Sequence, residues 1–160
     1  MNDAIAWPQV LPNVYVAQNV NKEKRTGMEL SFKQKLSPMW SYDLGYSYIK
    51  REINNNGSGM VLQDNLQPNG YKIGLHYNSG AWKANLLGTI GSGLNEYYYN
   101  GNSSYNIWDF NLSYEVNSQL TTYFKVNNLT NQEYYENGAS YGNYYPCGGR
   151  FYQVGFNLTF

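Results

Sequence analysis

Apolar and polar residues alternate along most of this chain with a period of two, a spacing that fits β-strands and excludes helices. From Trp40 onward, Trp40, Tyr42, Leu44, Tyr46 and Tyr48 are apolar or aromatic, and Ser41, Asp43, Gly45 and Ser47 lie between them. The same pattern predicts strands over Met28 to Leu36, Tyr71 to Tyr77, Trp82 to Ile90, Trp108 to Tyr114, Leu120 to Val126 and Tyr152 to Phe160. A weaker strand is expected over Asn13 to Val20, after an N-terminal lead-in over residues 1–12. The expected fold is all-β and antiparallel, with about eight strands over residues 13–160.

Within these stretches no charged residue falls on the apolar side, and Gln34 is its one clear polar exception. The links between strands are sorted by length. Leu36 to Met39, Asn78 to Gly80 and Glu115 to Gln119 are short turns, whereas residues 50–69, 91–104 and 130–149 are long, polar and rich in Asn, Gly, Ser and Tyr. Because short and long links alternate, an up-and-down sheet carries all its turns at one end and all its loops at the other. Transmembrane barrels have this asymmetry, with short periplasmic turns and long extracellular loops.

Two features place the apolar side outward. About fifteen aromatic rings lie on it, more than the interior of an eight-stranded barrel accommodates. The rings also fall at two levels. Trp40, Tyr77, Trp82, Tyr114 and Phe160 stand near the short-turn end, and Tyr48, Tyr71, Trp108 and Tyr152 near the long-loop end, with Leu44, Leu86 and Leu112 between. Aromatic girdles flanking an aliphatic band mark lipid interfaces, so Trp40, Tyr48, Tyr77, Trp82, Trp108 and Tyr114 are expected at the membrane boundaries.

Composition narrows the function. With 11 basic and 11 acidic residues the formal charge is zero, which leaves no basic surplus for nucleic acid. One histidine, His76, and one cysteine, Cys147, argue against a multi-ligand metal centre, a catalytic triad or an internal disulfide. Asp43, Asp109, Glu29 and Glu115 on the polar side are expected to hydrate the lumen and to pair across strands with Lys33, Lys72, Lys83 and Lys125 rather than to act as acid and base. The expectation is no catalytic residue, no bound cofactor and no metal, hence no enzyme. No run of 18 apolar residues forms a transmembrane helix, and no basic-then-apolar leader follows Met1.

At the C-terminal end the sequence carries family motifs. Val126-Asn127-Asn128-Leu129-Thr130-Asn131-Gln132-Glu133-Tyr134 resembles the V-x-N-L-x-N-x-x-Y segment of TonB-dependent receptors, and Gly149-Arg150-Phe151-Tyr152 resembles their P-G-R-x-F/Y approach to the last strand. Here Cys147-Gly148 separates Pro146 from Gly149-Arg150, a departure from that pattern. Gly27-Met28-Glu29-Leu30, the Leu36 to Trp40 turn and Gly45-Tyr46-Ser47-Tyr48 resemble the family's preceding hairpin. The resemblance runs from about Asn13 to Phe160. It implies the C-terminal part of an outer-membrane receptor barrel of about twenty-two strands, without its plug domain. It further implies uptake of a scarce ligand such as an iron–siderophore or cobalamin, with the TonB complex reached only through the absent N-terminal part. Gln153, Gly155, Leu158 and Phe160 match the terminal signal that the barrel-assembly machinery reads in such proteins. Outer-membrane lipid is the other expected partner.

The candidate ligand surface is the loop Glu133 to Tyr145, where Tyr134, Tyr135, Tyr141, Tyr144 and Tyr145 offer rings to stack on an arriving chelate, with Glu96 to Tyr99 beside them. The same tyrosines equally suit a loop packing on itself. Two other readings stay open: a self-contained eight-stranded barrel serving as adhesin or anchor, and a soluble barrel carrying a small apolar ligand.

Overall fold

The computed structural model describes residues 2–6, 9–54, 59–63, 66–135 and 145–160. Among them there is no helix. The strands are β1 (Asn2–Ala6), β2 (Gln9–Leu11), β3 (Val14–Tyr15), β4 (Gln18–Lys35), β5 (Trp40–Asn54), β6 (Val61–Leu62), β7 (Asn69–Ser79), β8 (Trp82–Ser92), β9 (Ser104–Glu115), β10 (Leu120–Asn127) and β11 (Phe151–Leu158). Eight of them form one sheet in the order β1-β4-β5-β7-β8-β9-β10-β11, each antiparallel to its neighbours. The short β6 adds to the upper end of β5, and β2 and β3 make a separate hairpin.

The strand number matches the alternation, but the first strand does not. Residues 13–20 divide between β3 and the start of β4, and the eighth strand is β1, inside the stretch expected as a lead-in. β4 and β5 are also longer than their apolar alternation indicates, at 18 and 15 residues. The sheet is open: β1 and β11 are its edges and do not pair with each other. A closed eight-stranded barrel requires that pairing.

Register preserves the two faces across the whole sheet. The row Gln34↔Tyr42↔Leu75↔Leu86↔Phe110↔Val126↔Tyr152 stays on the apolar face, and the row Ser41↔His76↔Asn85↔Asn111↔Lys125↔Gln153 on the polar one. A slip of one residue in any pair would invert every side chain of that strand, so the alternation itself holds the register. Gln34, the polar exception, accepts a hydrogen bond from the Tyr42 hydroxyl opposite at 2.9 Å.

The short turns are closed by local chemistry. At Ser79-Gly80-Ala81-Trp82 a two-residue connection puts Gly80 at φ +58°, a left-handed conformation that glycine adopts without strain. The other two turns share one construction. The Ser37 hydroxyl accepts from the amides of Met39 and Trp40 at 3.2 and 3.1 Å, and Asn117 Oδ1 accepts from Gln119 and Leu120, each at 2.9 Å. Both turns lie at the end of the sheet opposite the long links.

Among the described residues no second layer covers the apolar face. Leu30, Phe32, Leu44, Trp82, Val154 and Phe156 are all exposed. The buried hydrophobic residues sit at the long-link end instead: Ile53, Leu94, Tyr99, Tyr105, Ile107, Val126 and Tyr135. A soluble barrel buries its apolar face in one core, and this sheet does the reverse.

Candidate functional site

Three structures occupy the long-link end and the polar face. The first is a tyrosine cluster. Tyr105 and Ile107 project from β9 on the polar face, and Leu94 and Tyr99 from the 93–103 link and Tyr135 from the link after β10 pack on them. Tyr134 lies against the cluster, its ring 5.2 Å from that of Tyr105. The Tyr135 hydroxyl donates to Glu133 Oε1 at 2.6 Å and accepts from Asn100 Nδ2 at 2.9 Å. Tyr105 fits because its cross-strand partner is Gly91, where a Cβ would stand 2.5 Å from the ring. Trp108 likewise lies over Gly88, and Tyr123 over Gly155, both registered partners. Each glycine leaves a gap in its strand that the opposite ring covers.

Of the five tyrosines expected to receive a ligand, Tyr135 is buried and Tyr134 half-buried in this cluster, while Tyr145 is 70% exposed. Tyr141 and Tyr144 lie outside the described residues. Of Glu96 to Tyr99, Tyr97 is exposed with its ring edge-on to Tyr98 at 5.0 Å, and Tyr99 is fully buried.

The second structure is a cap built from the motif after β10. Asn128 is 3% exposed, with φ +52°. Its backbone N–H donates to Asp109 Oδ1 at 2.8 Å. Its side-chain amide donates to the Gln132 and Gly148 carbonyls at 2.9 and 3.3 Å, and its oxygen accepts from the Thr130 hydroxyl and the Gln132 N–H at 3.0 and 3.1 Å. Thr130 and Gln132 then bond the backbone of Asn106 at 3.1 and 2.8 Å, which ties the link to β9. Asn131 Oδ1 accepts from the Arg150 N–H at 3.0 Å, and the Arg150 guanidinium donates to the Leu129 carbonyl at 2.7 Å, which ties it to β11. The motif's spacing reflects these bonds. The sequence signal was present, but its structural role required the register.

The third is an ion cluster above the girdles. Glu23, on the polar side of β4 and buried, accepts from Arg51 Nε at 2.9 Å and from Arg25. Glu23 lies five residues beyond Met28, the partner of Tyr48, and so outside the aromatic belt. Hydrogen bonds from Arg51 and then Arg25 outweigh the opposing effect of burial and lower its carboxyl to about 2.

Lower on the polar face the cross-strand lysine–carboxylate pairs expected from sequence do not form among the described residues. Asp43 instead meets His76 Nε2 at 2.5 Å, while Asn85 holds His76 Nδ1 at 2.7 Å. Gly74, the registered partner of Asp43, makes room for this bridge. Asp109 serves the Asn128 cap, and Lys125 lies over the Tyr123 ring, 5.0 Å from its centre.

Four of the aromatic residues assigned to the girdles pair in space. Trp40 and Tyr77 are 4.8 Å apart, and Trp82 and Tyr114 4.4 Å, ring centre to ring centre, all at the short-turn end. Tyr48 and Trp108 stand near the opposite end, the former across from Met28 and Asn69. Gln153 and Gly155 lie on the polar face of the edge strand β11, and Phe160, just past it, is fully exposed.

Residues 1–129 match the family described as TonB dependent receptor-like, beta-barrel. The ferric-pyoverdine BN7/BN8 receptor of Pseudomonas putida is 27% identical over 139 residues, which cover 82% of this chain and 16% of the receptor. Among solved structures, the copper transporter OprC superposes with a TM-score of 0.79 at 20% identity, covering 99% of this chain and 27% of the transporter. The FrpB iron transporter of Neisseria meningitidis gives a TM-score of 0.72 at 20% identity, covering 98% of this chain and 26% of that one. The chain therefore spans about a sixth to a quarter of the relatives it matches.

Proposed function

The chain belongs to the TonB-dependent receptor-like β-barrel family, and on that premise we propose that it forms part of the wall of an outer-membrane receptor that takes up a scarce metal chelate, with a ferric siderophore first among the candidates. The observation that carries this reading is the two-faced sheet. One face is apolar and ringed by aromatics, and the other carries His76, Asp43, Lys72 and Lys125 in a polar wall. In a barrel the first meets lipid and the second lines the lumen. The relatives named above as receptor and transporters for iron chelate, iron and copper support a metal-bearing cargo. The role is transport, without catalysis by this chain.

The long links then face the cell exterior. Tyr145 and Tyr97 are the exposed rings that would meet an arriving ligand, while Tyr134 and Tyr135 pack in the tyrosine cluster. Energy coupling to the inner-membrane TonB complex belongs to a plug segment, which none of these strands supplies. The open backbone edge of β11, with Gln153, Gly155, Leu158 and Phe160, suits capture by the assembly machinery through strand addition.

The test is uptake in the source bacterium. Disruption of the gene is expected to abolish uptake of radioactive iron from one chelate in a panel of ferric siderophores, and complementation to restore it. Uptake is also expected to stop when the inner-membrane proton gradient is collapsed. Unchanged uptake of every chelate, or uptake that ignores the gradient, would overturn the reading.

A further inference from the structure

Asp43 on the polar face has two kinds of cationic neighbour and takes the less direct one. Lys33 on β4 is its registered partner, and such partners have Cβ atoms about 5 Å apart. His76 on β7 is only a diagonal neighbour, two residues from Gly74, the registered partner on that side. The carboxylate nevertheless bonds His76 Nε2 at 2.5 Å. Lys33 is exposed and has no ion pair among the described residues, and the same holds for Lys72, the other diagonal neighbour.

The imidazole accounts for the choice. Asn85 on β8 presents Oδ1 to His76 Nδ1 at 2.7 Å, and Asp43 presents Oδ1 to Nε2. Both ring nitrogens face acceptor oxygens, so the pattern is complete only when each nitrogen carries a hydrogen. A ring with one hydrogen sets a lone pair against one of the two oxygens. It also lacks the positive charge that strengthens a bond to carboxylate. Side-chain exposures of 28% for His76 and 40% for Asp43 let water supply and remove the proton. No second carboxylate faces the ring among the described residues. Lys33 and Lys35 from β4, Lys72 on β7 and Lys83 from β8 are cations, and Ser41 on β5 is neutral.

We infer that Asp43, His76 and Asn85 form a proton-operated switch in the lumen wall. With both ring nitrogens protonated, β7 holds Asp43, and the Lys33 ammonium is free to meet an anionic group inside the lumen. When the ring gives a proton to water, Asp43 turns to the directly opposite Lys33 and neutralises it. The wall therefore gains one free ammonium in acid. The switch rests on the polar face lining the lumen and on no particular cargo, so its failure leaves the transport reading standing.

The experiment uses the protein extracted from outer membranes in the form in which it occurs there. Its lysines are labelled with deuterated formaldehyde and cyanoborohydride, and each site is read by mass spectrometry. Lys33 is compared with Lys22, which is exposed on the other face opposite the neutral Asn54. From about pH 5 to about pH 8, the range in which histidine changes charge, the Lys33-to-Lys22 ratio is expected to fall about two- to fivefold, the worth of an exposed ion pair. Asp43→Asn is expected to keep the ratio high throughout, and His76→Ala to keep it low, each variant first shown to be folded by its migration in an unheated gel. A flat ratio in the unaltered protein overturns the switch, and means that Asn85 turns its amide to donate to a neutral ring that keeps Asp43. An equal fall in Asp43→Asn overturns it as well. A fall at Lys72 in place of Lys33 rejects Lys33 as the alternate partner. If a variant fails to fold, the unaltered protein alone decides between a fall and a flat ratio.

Discussion

At the residue scale the long-link end depends on one buried amide. Asn128 uses both side-chain hydrogens and its oxygen on the Gln132, Gly148 and Thr130 groups around it, and a positive φ that asparagine tolerates better than most residues. Asn128→Ala removes the partners of the Gln132 carbonyl and N–H and of the Gly148 carbonyl, at a cost of about 2 kcal/mol. The expected result is faster hydrogen exchange at Gln132 and readier proteolysis after β10, with β7 and β8 unchanged. Unaltered exchange at Gln132 would contradict the cap. The sequence displayed this asparagine inside a family motif but not its distant partners, because Asp109 and Gly148 approach it only through register and loop path. The tyrosines divide for the same reason. A run of Tyr134 and Tyr135 reads as available rings until the fold places Tyr99 and Leu94 against them.

Among the elements, β4 and β5 show where alternation stops being informative. Their lower halves were legible because one face is apolar and the other polar over their whole length. From Gln18 to Gly27 and from Ile49 to Asn54 polar residues predominate, the apolar Val20, Ile49 and Ile53 are scattered among them, and no apolar period marks the strand. β1 escaped notice because Asn2 to Ala6 is short and carries no aromatic residue. The upper ladder is held partly by Glu23 and its two arginines, and its response to acid follows from that. The folded carboxyl titrates at about 2 against an ordinary 4.5. Its stabilisation is therefore complete above the ordinary value, declines as pH falls below it, and is gone once pH passes below the folded value. Amide protection of Arg25 and Ile53 is expected to weaken across that window, and Glu23→Gln to be weaker at neutral pH and flat across it. A wild-type ladder that ignores this range would show that the ion cluster contributes nothing.

For the molecule as a whole, the decisive property is an apolar face that none of the described residues covers. That much was written in the sequence, in the charge-free alternation and in the sorting of short and long links. The open edges at β1 and β11 follow instead from the resemblance to part of a larger barrel, since closure depends on strands beyond any single period. A charge placed in the middle of the belt reports its environment directly. Leu44→Lys is expected to lower stability by about 2–4 kcal/mol in equilibrium unfolding from lipid vesicles, and Ser47→Lys, opposite Glu29 on the polar face, by far less. Similar costs at the two positions would mean that both faces see the same medium.

Spin labels placed one at a time from Ser41 to Ser47, with Cys147 first replaced by serine, measure that medium residue by residue in a lipid bilayer. Collision with dissolved oxygen, which concentrates in lipid, is expected to peak at positions 42, 44 and 46, and collision with a water-soluble nickel chelate at 41, 43, 45 and 47. The opposite phase, or no alternation, would contradict a sheet whose aromatic face is its membrane face.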